Sequence, residues 1–135
     1  TSHVLPALIR RFHEAKTAGQ EHVTLWGTGS ALREFMHVDD LASACVTLFE
    51  RYDDAPPINV GTGSDMAIRD LAGLVARVIG YDGEIEWDST KPDGTPRKLL
   101  DVSRIHSLGW KAAIDLEQGI RMTYDAFRAE RSQAA

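Results

Sequence analysis

The residues best equipped for chemistry lie in two stretches. The first, Trp26-Gly27-Thr28-Gly29 running on to Arg33, ends an apolar run on an aromatic ring, turns on two glycines and reaches an arginine. Glycine lets backbone N–H groups come close to a ligand, a guanidinium fork matches phosphate oxygens, and an indole face suits a flat base. The second, Lys91-Pro92-Asp93-Gly94-Thr95-Pro96-Arg97-Lys98, crowds three cations into one short loop. Lys91-Pro92-Asp93-Gly94 has the chemistry of a type I turn, which explains the proline and glycine but not the cations. Together the stretches would suit an anion with a ring system beside it, as in a nucleotide. On spacing alone a plainer reading stays open: the glycines only turn the chain, Trp26 is core, Arg33 pairs with a surface carboxylate, and the basic loop is solvated.

Composition sets limits on that ligand. At 135 residues the chain is about one domain, and 43% hydrophobic with 26% charged residues is the balance of an ordinary globular protein. A net charge of −5 argues against a nucleic-acid backbone or an anionic membrane as the main partner, so an anion must be held by local basic groups. One cysteine rules out an internal disulfide and any multi-cysteine metal site, and it agrees with a reducing compartment. No metal-ligand set is expected. No apolar run approaches a membrane span and no signal-peptide pattern is visible. The chain opens at Thr1 without a methionine, which reads as a piece of a longer protein.

The elements that must position these residues follow from periodicity. Val4, Leu5, Leu8, Ile9 and Phe12 recur at helical spacing, with Pro6 tolerated in the first turn and an end near Gly19; His3 sits at the mouth of this helix. His22 to Trp26 and Arg33 to Val38 read as strands. Asp39 reads as the N-cap of a helix through about Glu50, with Leu41, Ala44, Cys45 and Leu48 on its apolar face, so that Cys45 is core and Asp39-Asp40 serve capping and the helix dipole rather than a metal. Ile58-Asn59-Val60 reads as a brief strand before Gly61-Thr62-Gly63, a turn matching neither the dinucleotide fingerprint nor a P-loop and taken as a connector. Ile68, Leu71, Val75, Val78 and Ile79 define a helix stopped by Gly80; Glu84 to Trp87 a strand; Asp101 to Leu108 a short helix. Asp115 with Gln118 forms a capping box for a last helix burying Leu116, Ile120, Tyr124 and Phe127, with a frayed tail over 128–135. Such alternation indicates an α/β domain.

Three segments carry a family resemblance: Ser2-His3-Val4-Leu5-Pro6 with Arg10-Arg11; Trp26-Gly27-Thr28-Gly29 through Arg33-Glu34-Phe35 and His37-Val38-Asp39-Asp40; and the loop from Lys91 to Lys98. In this order they resemble the C-terminal portion of the GDP-L-fucose synthase family (GDP-4-keto-6-deoxy-D-mannose epimerase/reductase), within the extended short-chain dehydrogenases, over Thr1 to about Phe127. The resemblance implies an α/β substrate-binding portion, spanning 1–135, of a Rossmann-like fold whose core is mostly missing. It implies a cytoplasmic, two-domain enzyme, a homodimer as a whole, that epimerises C3 and C5 of GDP-4-keto-6-deoxymannose and reduces C4 with NADPH. NADP would be bound mainly by the missing N-terminal Rossmann domain, which would also carry the Ser, Tyr, Lys and catalytic cysteine, so Cys45 takes no such role.

Carried over by position, the resemblance makes His3 the general acid of the epimerisations, lying near the nicotinamide and so also in contact with cofactor. It makes Arg11 a basic substrate contact, although helical spacing alone places Arg10 nearer the face of His3. Trp26 and Arg33 become the nucleotide-contacting pair, Asp93 a substrate-binding aspartate and Lys98 a diphosphate contact. Two positions depart from the family: Thr1 replaces a usual asparagine, with cofactor contacts at stake, and Ala67 replaces a usual Ser or Thr helix cap, a loss of about 1 kcal/mol unless Ser64 or Asp65 substitutes. The isolated chain should not catalyse, and the region from Met36 to Val60 should expose an apolar face that the N-terminal domain covers, or that drives self-association. The rivals are another nucleotide-sugar epimerase or dehydratase, and a module that binds a sugar nucleotide without chemistry.

Overall fold

A computed structural model describes residues 3–133; the departure at Thr1 lies outside them. Helix α1, Val4–Ala18, buries Leu8, Ile9, Phe12 and Ala15 as its spacing requires, and Gly19 ends it in the left-handed region, φ 65°, donating to the carbonyls of Ala15 and Lys16. Strand β1, His22–Trp26, turns Val23 and Leu25 inward and pairs in parallel with β4, Glu84–Asp88. Helix α3, Ile68–Ile79, and helix α5, Leu116–Gln133, close the main core, in which Phe12, Leu71, Val75 and Ile120 are fully buried. Asp115 Oδ1 accepts from the Gln118 amide at 2.9 Å, the N-cap half of the expected box. Helix α5 continues to Gln133, through most of the stretch expected to fray.

The middle of the chain differs from the sequence reading. The strand expected over Arg33 to Val38 shrinks to β2, Leu32–Arg33, between β3, Met66–Ala67, and β5, Arg97–Lys98. Just past the last β2–β5 pair, Arg33 with Lys98, the Leu100 amide donates to the Glu34 carboxylate rather than to a backbone carbonyl. Ile58 to Val60 forms no strand; Ile58 and Val60 pack instead on a second, smaller core of Ala44, Val102, Ile105 and Trp110. This core joins α2, Val38–Arg51, to α4, Ser103–Ser107. The N-cap of α2 is His37, not Asp39: His37 Nδ1 accepts from the Asp39 amide at 3.2 Å. Cys45 is exposed rather than core. Helix α2 packs through Ala44 and Leu48, and the side bearing Val38, Leu41, Cys45 and Phe49, the last 93% exposed, is uncovered among the described residues.

Ala67 is indeed the N-cap of α3 and gives no side-chain bond. Neither Ser64 nor Asp65 substitutes. The orphan amides are met by backbone instead: Ile68 N–H donates to Ala31 O at 3.0 Å and Arg69 N–H to Gly29 O at 2.9 Å. Ala67→Ser is therefore expected to stabilise the fold by less than about 0.5 kcal/mol, well under the usual gain from a cap; a larger rise in the urea midpoint would show these amides to be poorly satisfied.

Candidate functional site

Strand alternation decides where Trp26 points. With Val23 and Leu25 inward, the indole faces out, 69% exposed, and the Lys91 ammonium lies over it, 5.7 Å from the ring centroid. Gly27 follows at φ +84°, and a Cβ there would collide with Asp93 Oδ1. That close approach lets Thr28 hold Asp93 twice, its amide donating to Oδ1 at 2.9 Å and its hydroxyl to Oδ2 at 2.6 Å. The turn expected at Lys91–Gly94 sits earlier, where the Lys91 amide donates to Asp88 O at 3.2 Å and Asp88 Oδ1 accepts from the Thr90 amide.

The cations of the loop are not equivalent. Arg97 is committed to Asp65 through a two-point pair at 2.6 and 3.3 Å. Lys98 lies beside Arg33 in the parallel register of β5 and β2, and among the described residues no carboxylate pairs with either. Arg33 donates to Leu32 O at 2.6 Å, and a Cβ on Gly94 would stand 3.1 Å from its Nη2. Contacts through Thr28, Asp93 and Gly94 thus run from the residues beside Trp26 to Arg33, with Lys98 in register beside Arg33, along a loop exposed at every residue from Ser89 to Leu100. Arg11 stands apart, donating to Thr24 O at 3.2 Å and bordering a separate hollow with Glu14 and Gln20.

Arg33 also lines a cavity of about 370 Å³ with Phe35, Ser64 and the segment Ala112–Leu116. A neighbouring cavity of about 200 Å³ shares Phe35, Ile114, Asp115 and Leu116 and reaches Leu5 in the first turn of α1. His3 is the N-cap residue of that helix, exposed, its carbonyl accepting from the Ala7 amide at 3.1 Å. The two cavities adjoin at these shared residues, the first lined by Arg33 and the second by Leu5 in the first turn of α1.

Two carboxylates that the sequence reading left without a site role hold residues that line these cavities. Asp40, only 4% exposed, accepts from the amides of Ala113 and Ile114, each at 3.0 Å, and so fixes the wall opposite Phe35. Glu34 Oε1 accepts from the Gly63 amide at 2.6 Å and the Thr62 hydroxyl at 3.1 Å, while Oε2 accepts from the Leu100 amide. Its carboxylate fills the Gly61-Thr62-Gly63 turn and leaves no room there for a phosphate, in keeping with a connector.

Asp93 is held below the usual carboxylate range, first by the Thr28 hydroxyl and then by the Thr28 amide. Its folded form gives up a proton more readily than its unfolded form. The latch therefore contributes fully above the ordinary carboxylate range and fades as pH falls through the lowered value. Thr28→Val should shrink the difference between urea midpoints measured near pH 7 and at about pH 3; an unchanged difference would show that the latch adds nothing to stability.

The NAD dependent epimerase/dehydratase family matches residues 1–61. GDP-L-fucose synthase 1 of Arabidopsis thaliana is 59% identical over 92% of this chain and 38% of that protein. The GDP-L-fucose synthase of Escherichia coli strain K12 is 50% identical over 93% of this chain and 42% of that protein. The chain resembles GDP-L-fucose synthase. It spans about two fifths of the length of these curated relatives. Among solved structures, a GDP-mannoheptose C4 reductase from Campylobacter jejuni with NADP bound superposes with a TM-score of 0.84 at 38% identity, over 95% of this chain and 45% of that one. The fold is the α/β fold of the extended short-chain dehydrogenases. Among the described residues no helix is long and apolar enough to cross a membrane.

Proposed function

We propose that this chain is the C-terminal, sugar-nucleotide-binding part of a cytoplasmic GDP-L-fucose synthase, homodimeric as a whole enzyme, which converts GDP-4-keto-6-deoxy-D-mannose to GDP-L-fucose by C3/C5 epimerisation and NADPH-dependent reduction at C4. The observation that supports the reading is the succession of neighbours that links these groups. An exposed indole with Asp93 beside the turn that follows it comes first, then Arg33 with Lys98 in register, then two adjoining cavities, one lined by Arg33 and the next by Leu5 of the helix that begins at His3. A base, a diphosphate and a hexose are joined in that same order. Trp26 stacks the guanine, Asp93 faces it, Arg33 and Lys98 hold the diphosphate, and His3 meets the keto sugar. Arg11, bonded to Thr24 O, reaches substrate only by leaving that carbonyl.

The residues present do not fit NADP. The glycine turn that could cradle a pyrophosphate is filled by the Glu34 carboxylate, and the turn after β1 leads into a strand rather than a helix. Beyond His3 beside the nicotinamide, cofactor binding falls to the N-terminal Rossmann domain of the longer protein. That domain would cover the apolar side of α2, and the isolated chain should be catalytically inactive.

Calorimetric titration of the 135-residue chain with GDP, UDP and dTDP tests the reading. GDP should bind best, and Trp26→Ala should weaken it about 5- to 100-fold, the range for a base stacked on an aromatic side chain. Arg33→Ala should weaken GDP by a similar factor while leaving guanosine nearly unaffected. Preference for UDP or dTDP would move the chain to another nucleotide-sugar epimerase, and binding of none would remove the nucleotide site.

A further inference from the structure

We propose that Lys91 is the resting occupant of the Trp26 platform, displaced by the arriving base and then placed to meet the phosphates. The inference deepens the nucleotide-site reading and rests on it. Trp26 is a large apolar surface left 69% exposed, and the Lys91 ammonium lies over its ring, 5.7 Å from the centroid. A base stacking on that face needs the space the ammonium holds. The contact suits displacement, because a cation over an exposed ring is weakly held. The backbone of Lys91, by contrast, is pinned on both sides. Its own amide closes the turn onto Asp88 O, and Asp93 is latched to Thr28.

A fixed Cα on a flexible four-carbon stem lets the charge swing without moving the loop. Its destination follows from the neighbours. Arg97, the other strong cation of the loop, is tied to Asp65, whereas Arg33 and Lys98 stand side by side without a carboxylate among the described residues. A diphosphate at Arg33 and Lys98 would draw the released ammonium toward it. Lys91 would then oppose a neutral base and favour a phosphorylated one. The platform would discriminate between nucleoside and nucleotide before any residue deeper in the cavities is reached.

The test uses the 135-residue chain and Lys91→Met, with Lys91→Arg as the conservative control. Without ligand, tryptophan fluorescence is quenched with iodide and with caesium, Trp26 being far more accessible than Trp110, at 6% exposure. Removing the ammonium should lower quenching by the anion and raise it by the cation, and arginine should restore the wild-type pattern. In titrations, Lys91→Met should bind guanosine about 2- to 5-fold more tightly, the equivalent of losing one exposed cation–π competitor, and bind GDP more weakly. Unchanged quenching overturns the proposal, because Lys91 then does not occupy the ring. Guanosine and GDP affinities moving in the same direction also overturn it. A quenching contrast in a chain that binds neither guanosine nor GDP shows instead that the nucleotide reading is wrong, and the displacement falls with it.

Discussion

His3→Gln is expected to lower hydrogen exchange at C3 and C5 by roughly 10²- to 10⁴-fold, the range for removing a general acid or base. The vehicle is a chimera in which this chain replaces the stretch of the Escherichia coli enzyme that it matches. Incorporation of deuterium from solvent into GDP-4-keto-6-deoxy-D-mannose, without NADPH, isolates the epimerisation from the reduction. The C4 ketone acidifies the neighbouring hydrogens, and inversion requires a proton returned to the opposite face. Imidazole can donate or accept near neutral pH, while the glutamine amide keeps much of its shape and hydrogen bonding without that capacity. The position favours such a role: His3 is exposed at the start of α1, whose first-turn Leu5 lines the cavity adjoining that of Arg33. GDP affinity should be unchanged in the variant. Exchange within about 3-fold of the parent chimera would reduce His3 to a helix-end residue.

Asp40→Ala should cost about 2–3 kcal/mol, seen as a lower urea midpoint at unchanged slope. The carboxylate is buried and accepts the amides of Ala113 and Ile114, and it lies in the first turn of α2, where the helix dipole favours its charge. Alanine removes both acceptors and leaves a void beneath the wall of the cavity. Asn keeps one acceptor and should recover about half of the loss, separating the hydrogen bonds from the volume. Binding of a GDP-sugar should weaken more than binding of GDP in the alanine variant, because the Ala112–Leu116 wall is no longer held. A midpoint within about 0.5 kcal/mol of wild type would show that solvent replaces the clamp.

How far these features could be read in advance depended on how local their causes are. α1 and α3 are specified by their own periodicity and closing glycines, and α5 by its periodicity and N-cap, and all three appear close to where the spacing puts them. Trp26 was ambiguous between core and platform until the alternation of β1 placed it outward. Asp39-Asp40 read as caps because both stand at a helix start. What distinguishes Asp40 is a pair of amides 73 and 74 residues away in sequence, beyond any local pattern. Cys45 failed for a related reason. Helix α2 has apolar residues on two sides, and periodicity cannot say which one the rest of the fold covers. The extended strand after Arg33 failed because Glu34, polar and unremarkable in a strand pattern, has three donors waiting in other loops.

The presence of two hydrophobic centres, one beneath α1, α3 and α5 and a smaller one joining α2 to α4, gives the molecule a seam. Asp40 stitches it, reaching from the minor centre to the residues just ahead of α5. The segment that Asp40 holds also lines the cavity beside Arg33, so the shape of that cavity depends on how the two centres are joined.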